Sequence, residues 1–229
     1  MTQSKGIHLL KTCPYFSHLV ENEFVDLLER GQLRAASRGE KLFQAGEEAR
    51  FVYLILSGSS KLVRSHPDGK DRIVHFLIRG DLFGALVALQ GKAYPVTAVI
   101  LEQSNVFEIP SSSFQELIQK GSPLGRILFF QMSERMRAAH DDRVNVFDSV
   151  DKRISFFLLD LLDRLEKSVG PTSRIPIPLT RQDIADRVGS TVETVIRTLS
   201  SWAEEGIIST QDRHIEIIQR PFLQSLLKN

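Results

Sequence analysis

The chain has 229 residues and a mass of 25.9 kDa, about twice the commonest domain size, so two compact domains are expected. With 42% hydrophobic and 25% charged residues it has material for two buried cores, and disorder as its main state is excluded. The net charge is +1, and beyond Asp148 acidic and basic residues are equal in number, so no global basic field marks nucleic-acid binding and local placement would have to supply it.

The longest apolar run, Phe51 to Leu56, falls far short of the roughly 18 residues of a membrane helix, and the polar start Met1 to Gly6 lacks a signal-peptide apolar stretch. A cytoplasmic protein with no membrane partner is the expectation. A single cysteine, Cys13, excludes an internal disulfide framework, a four-thiolate zinc site and an iron–sulfur cluster built from this chain's own thiolates alone.

From Leu33 to Ile109 the sequence runs in short apolar or alternating stretches rich in Val, Ile, Leu and Phe, punctuated by Gly46, Gly58, Gly69 and Gly80 at intervals of about 10 residues, which indicates an all-β sandwich or barrel. Asp68-Gly69 is a hairpin signal. After Ile109-Pro110 the period changes. Ser113 with Glu116 is a capping-box pair opening a short helix, and from Pro123 a longer helical stretch runs to about Val146. Within it Phe129, Met132, Met136, Ala139, Arg143 and Val146 recur at alternating spacings of three and four, the seam of a two-stranded coiled coil. Packing of this stripe on its own β domain is the alternative. Asp148 to Lys152 is a polar hinge, Ile154 to Leu165 an apolar helix, and Gly170 to Pro178 a loop or edge strand.

Leu179 to Trp202 reads as two helices around a tight turn: Arg181 to Val188, then Gly189-Ser190, then Thr191 to about Glu204. Helices that cross closely need a small residue at the crossing, met by Ala185, and one tolerant of positive φ in the turn, met by Gly189. Ile184, Val188, Val195 and Leu199 supply a core beneath, and Ile208 to Ile218 alternates as a hairpin turning near Gln211 to Arg213. The pattern is a winged helix-turn-helix. A small three-helix domain of another kind can show the same Ala and Gly, but the wing and the neighbouring β domain favour DNA binding.

These segments together resemble the cyclic AMP receptor protein and FNR family of bacterial transcription regulators. The resemblance rests on the β-domain glycines with Gly84, on Gly80-Asp81-Leu82-Phe83-Gly84, on Glu108-Ile109-Pro110, and on Thr180 to Ala185 with Val192 to Arg197. It implies an α+β chain: a cyclic-nucleotide-binding-type β-roll sensor (1–120), a dimerisation helix and hinge (121–148) and a winged helix-turn-helix (149–229). It also implies a homodimer that reads two-fold symmetric double-stranded DNA and works with RNA polymerase.

On the second helix Glu193 and Arg197 stand four apart on one face. There the guanidinium can make a bidentate pair with guanine O6 and N7 while the carboxylate accepts from cytosine N4. An ordinary surface pair is the plainer reading. Val192 and Ile196 add apolar contact suited to thymine methyls. Val192-Glu193-Thr194 resembles the FNR branch, whose half-sites resemble TTGAT, although that branch has serine where Ile196 stands. Thr180, Arg181 and Gln182, and Thr191 at the start of the second helix, complete the expected DNA-contacting set, the first three as phosphate contacts, which position without specifying.

In the family's cyclic-nucleotide binders a glutamate follows the second glycine of Gly-Asp-x-x-Gly and an arginine follows about ten residues later. Here those positions hold Ala85 and Tyr94 or Pro95, neither able to pair with a phosphate. Cyclic AMP is therefore not expected to be the effector. The expected pocket comprises Gly84, Ala85, Leu86, Tyr94, Pro95, Val96 and Thr97. Tyr94 to Ala98 resembles FNR-type regulators without cysteines, some of which sense nitric oxide through haem, for which His66, His75 and Cys13 are the weak axial candidates. A haem, a small hydrophobic or anionic effector, and no ligand at all remain open. No metal-ligand spacing, catalytic motif or phosphate-binding glycine loop is present, so an enzyme is not expected. A β-roll module that binds protein instead of DNA is the remaining alternative.

Overall fold

The structure is a computed structural model describing residues 3–65, 71–144 and 148–228. The Asp68-Gly69 turn, His66 and Val146 lie outside the described residues, as do the side chains of Ala139 and Arg143. The chain divides into two compact units, residues 1–65 with 76–137 and residues 66–75 with 138–229.

In the first unit two helices precede the sheets, α1 (Gln3–Thr12) and α2 (Glu21–Arg30). Eight strands follow among the described residues: β1 (Gln32–Ala36), β2 (Lys41–Phe43), β3 (Phe51–Ser57), β4 (Ser60–Ser65), β5 (Asp71–Leu77, its residues 71–75 grouped with the second unit), β6 (Leu82–Phe83), β7 (Thr97–Ile100) and β8 (Ser104–Pro110), with α3 (Ala85–Leu89) between β6 and β7. They form two four-stranded sheets, ordered β1-β8-β3-β6 and β2-β7-β4-β5. In β3, Val52 to Leu56 are all buried without alternation. A strand loses its alternation when both faces are covered, and here α1, α3 and α4 (Ser111–Gln119) pack against it. Arg34 of β1 bonds Glu108 of β8 at 2.6 Å and also pairs with Glu40, which satisfies the nearly buried Glu108 carboxylate.

The expected capping box of α4 does not form. The helix starts at Ser111 behind Pro110 with no side-chain cap, because Ser113 is buried and Glu116 is drawn to Arg30 at 2.9 Å. The next helix, α5 (Leu124–Val144), begins with Ser122 Oγ accepting the Leu124 N–H at 3.2 Å. Its first turns bury Leu124 and Leu128 in the unit, while Phe129, Phe130 and Met136 are 74%, 67% and 75% exposed.

The second unit opens on α6 (Val150–Val169). The hinge is shorter than expected: Ser149 caps this helix by accepting the Lys152 N–H at 3.3 Å, so Asp151 and Lys152 are already helical. Next come β9 (Arg174–Ile175), α7 (Arg181–Val188), α8 (Val192–Glu204), β10 (Ile208–Gln211), β11 (His214–Ile217) and α9 (Arg220–Leu226). The small sheet is ordered β10-β11-β9, so the proline-rich segment supplies an edge strand, where missing N–H groups do least harm.

Candidate DNA-reading helix and effector cavity

Helix α7 is opened by a reciprocal cap. Thr180 Oγ1 accepts the Asp183 N–H at 3.0 Å, and Asp183 Oδ2 accepts from the Thr180 N–H at 3.0 Å and from its hydroxyl at 2.6 Å. Both Thr180 donors are thus committed to the helix start. The Gln182 amide donates to Asp186 at 2.7 Å. Arg181 is half-buried, burial pulls its pKa down, and among the described residues it forms no ion pair.

The turn is set by Gly189, whose φ of 66° and ψ of 50° put it in the left-handed region. The Ser190 N–H closes back on Ala185 O at 3.0 Å. From α6, Arg153 Nη1 donates to the carbonyls of Val188 and Gly189 at 2.6 and 3.1 Å, placing a cation at the negative end of α7. Ile184, Ala185, Val188, Val195 and Leu199 are buried beneath.

Helix α8 has two distinct faces. Thr191 caps it by accepting the Thr194 N–H at 3.2 Å. Val195, Thr198, Leu199 and Trp202 are buried, and the Thr198 hydroxyl donates to Asp151 at 2.7 Å, tying the helix to α6. On the other side Glu193, Ile196 and Arg197 are exposed and Val192 is partly so. No ion pair joins Glu193 to Arg197 among the described residues. Arg197 borders a concave region of about 440 Å³ formed with Thr194, Ser201 and the start of α6.

Sequence reasoning placed Arg213 in the wing turn but not among the DNA-contacting residues. The wing turn is a two-residue connection, Asp212 and Arg213, both at positive φ (49° and 67°) without being glycine, as a type I′ hairpin requires. The Leu179 N–H donates to Arg213 O at 2.9 Å, which fixes the wing beside the start of α7. The turn itself lies where the alternating runs place it, near Gln211 to Arg213, but its positive φ angles carry no glycine signal.

In the first unit a cavity of about 350 Å³ lies against α3 and α5. Gly84, Ala85, Leu86, Tyr94, Pro95 and Val96 line it as expected. Thr97 does not, because its hydroxyl turns to accept the Ala45 N–H at 3.1 Å. Phe43, Phe83, Leu128 and Met132 also line it and were not anticipated, since they come from elements far apart in sequence. Gly84, at a φ of 79°, is required twice: a Cβ there would approach Phe51 O at 3.2 Å and the Tyr94 ring at 3.3 Å. Tyr94 stacks on Phe43 with centroids 3.7 Å apart. Its hydroxyl donates to Phe51 O at 2.5 Å and accepts from Phe51 N at 3.2 Å, and burial pushes its pKa up.

Neither His75 nor Cys13 lines the cavity. Burial pushes the Cys13 thiol up to about 11, so it is not a ready thiolate. His66 is outside the described residues. The described residues therefore do not fit a haem at this cavity, and among them no group of three or more His, Cys, Asp or Glu could hold a metal ion. No helix among them is long and apolar enough to cross a membrane.

Comparison with known proteins places both sites in context. Residues 33–121 match the cyclic nucleotide-binding domain model and residues 152–226 the Crp-like helix-turn-helix domain model. The fumarate and nitrate reduction regulatory protein of Vibrio cholerae is 30% identical over 190 residues, covering 82% of this chain and 76% of that protein. The transcriptional activator protein FnrA of Stutzerimonas stutzeri is 29% identical over 197 residues, covering 84% and 78%. The solved structure of FixK2 from Bradyrhizobium japonicum superposes with a TM-score of 0.75 at 24% identity, covering 86% of this chain and 96% of that one, which shows the shared fold. With a β-roll followed by a Crp-like reading unit on one chain, this protein belongs to the CRP/FNR family of DNA-binding transcription regulators, a family of regulators and not of enzymes.

Proposed function

We propose that the chain acts as a homodimer, reads a two-fold symmetric DNA site with FNR-like half-sites, and is not controlled by cyclic AMP. The observation that carries the reading is the outer face of α8, where Arg197 and Glu193 stand in solvent with no side-chain partner among the described residues. Charges left uncommitted are free to meet base edges: Arg197 takes a guanine, Glu193 accepts from a cytosine, and Val192 and Ile196 meet thymine methyls. Arg181, Gln182 and Thr191 contact phosphates. Arg213 at the wing joins them, and Thr180 acts as the cap that aims α7.

Dimerisation is supported by Phe129, Phe130 and Met136, apolar side chains that a lone protomer leaves in water. We assign residues 1–120 to the sensor, 121–148 to the dimerisation helix and hinge, and 149–229 to the reading unit, with RNA polymerase as the protein partner. Against cyclic AMP, Ala85 offers a methyl group, and the Tyr94 hydroxyl is held by the main chain of Phe51. The test is selection from random duplexes by the full-length protein. A palindrome with half-sites about 10 base pairs apart, centre to centre, recovered without nucleotide, is expected. Recovery only in the presence of cyclic AMP, or of a single half-site, overturns the proposal.

A further inference from the structure

The cavity has a chemistry of its own that the outward-facing charges of the reading unit do not share. No charged side chain lines it. Its walls are the stacked rings of Phe43 and Tyr94, the rings of Tyr15 and Phe83, and aliphatic groups mainly from α3, α5 and the neighbouring strands. The Tyr94 hydroxyl already donates to and accepts from the Phe51 main chain, so it has little left for a guest. A charge moved from water into such a wall would lose hydration and gain no partner, whereas rings and alkyl groups would displace water that the walls bind poorly. Leu86 (46% exposed) and Pro95 stand exposed at the rim, which gives a guest a way in beside α3. The volume of about 350 Å³ lies toward the small end of ligand sites.

We infer that this cavity binds an uncharged, ring-bearing small molecule, which its stacked aromatic wall selects over any anion, nucleotides included. The inference rests on the proposal that cyclic AMP is not the effector and names the class that replaces it.

The probe pair is N-phenyl-1-naphthylamine and 1-anilinonaphthalene-8-sulfonate, the same rings without and with a sulfonate, titrated by fluorescence into the full-length protein. The neutral probe should saturate at one site per protomer and bind at least about tenfold more tightly than the anionic one. Leu62→Trp, which fills the cavity from β4, should weaken the neutral probe at least about tenfold. Val87→Arg, which sets a cation in the wall from α3, should narrow or reverse the preference between the two probes. Unchanged duplex retardation would show that both variants remain folded, and if Leu62→Trp fails to fold, Val87→Arg alone decides. Equal or tighter binding of the sulfonate by wild type, or neutral binding indifferent to both substitutions, overturns the inference and leaves cyclic AMP independence standing. Displacement of the neutral probe by cyclic AMP at low millimolar concentration or below overturns both.

Discussion

Along α8 the charged groups of Glu193 and Arg197 stand in solvent and bind no side chain among the described residues. No charged side chain lines the cavity, and the Tyr94 hydroxyl is bound twice to the main chain of Phe51. One surface presents charged groups to solvent, and the other is lined by rings and aliphatic groups. The first can therefore discriminate by donor and acceptor pattern, as base edges demand. The second discriminates by shape and by refusing charge. On the proposed reading, DNA and the cavity's guest are recognised by different physical means.

The sharpest way to break the contrast is to put charge where the molecule keeps none. Phe129→Glu with Met136→Glu alters side chains already in water in the lone protomer, so each protomer should fold. In a dimer the added carboxylates would be desolvated together, and an uncompensated buried charge costs about 3–5 kcal/mol. Sedimentation at tens of micromolar should find the variant monomeric and the wild type dimeric, and a monomeric wild type would end the dimer proposal.

The next effect comes from removing the cation that holds the turn. Arg153→Leu deletes the donor to the Val188 and Gly189 carbonyls. Hydrogen bonds to a charged group contribute about 1.5–3 kcal/mol, so chemical denaturation of the reading unit should lose about that much, with DNA affinity falling alongside.

Arg197→Ala and Arg181→Ala then separate the two kinds of contact. The first should cost about 1–3 kcal/mol per half-site and relax the preference at one G·C position. The second should weaken all sequences about equally and reduce the salt slope by roughly one per half-site. Titration at two salt concentrations against selected and scrambled duplexes checks both. An unchanged preference in the first with an altered one in the second would reverse the assignments of α7 and α8.

The smallest effect lies in the core of the sensor unit. Cys13 is raised from its ordinary 9.0 to about 11 by burial, so between those values the unfolded chain gives up a proton that the folded one keeps. Stability from this group is complete below pH 9 and falls as pH rises to about 11, at most about 1.4 kcal/mol per pH unit. The stability gap between wild type and Cys13→Ala, followed by denaturant midpoint from about pH 8 to about pH 10, should shift in favour of the variant at the higher pH.

The same division explains what could be read beforehand. Helix α7 was legible to the residue, from Arg181 to Val188, because its cap, small crossing residue and glycine turn are local signals. The exposed positions of α8 followed from helical period alone. The cavity was half legible: Gly84 to Leu86 and Tyr94 to Val96 are near neighbours in sequence, but Phe43, Phe83, Leu128 and Met132 meet only through tertiary packing. The α4 start was misread because Ser113 and Glu116 have the right spacing for a cap while long-range burial and Arg30 claim them first. The wing turn was legible from the alternation on either side of Gln211 to Arg213, but its turn type was not, because positive φ there falls on Asp212 and Arg213, which carry side chains.

Helix α8 is anchored entirely from behind, by Val195, Thr198, Leu199 and Trp202, while Glu193, Ile196, Arg197 and Ser200 make no side-chain hydrogen bond or ion pair among the described residues. Exchanging the outer four should therefore leave the scaffold's stability nearly untouched, within the roughly 0.5 kcal/mol typical of surface substitutions. The address this protein answers to is thus a detachable label: a library randomised at those four positions would consist mainly of folded proteins, each free to acquire a different operator.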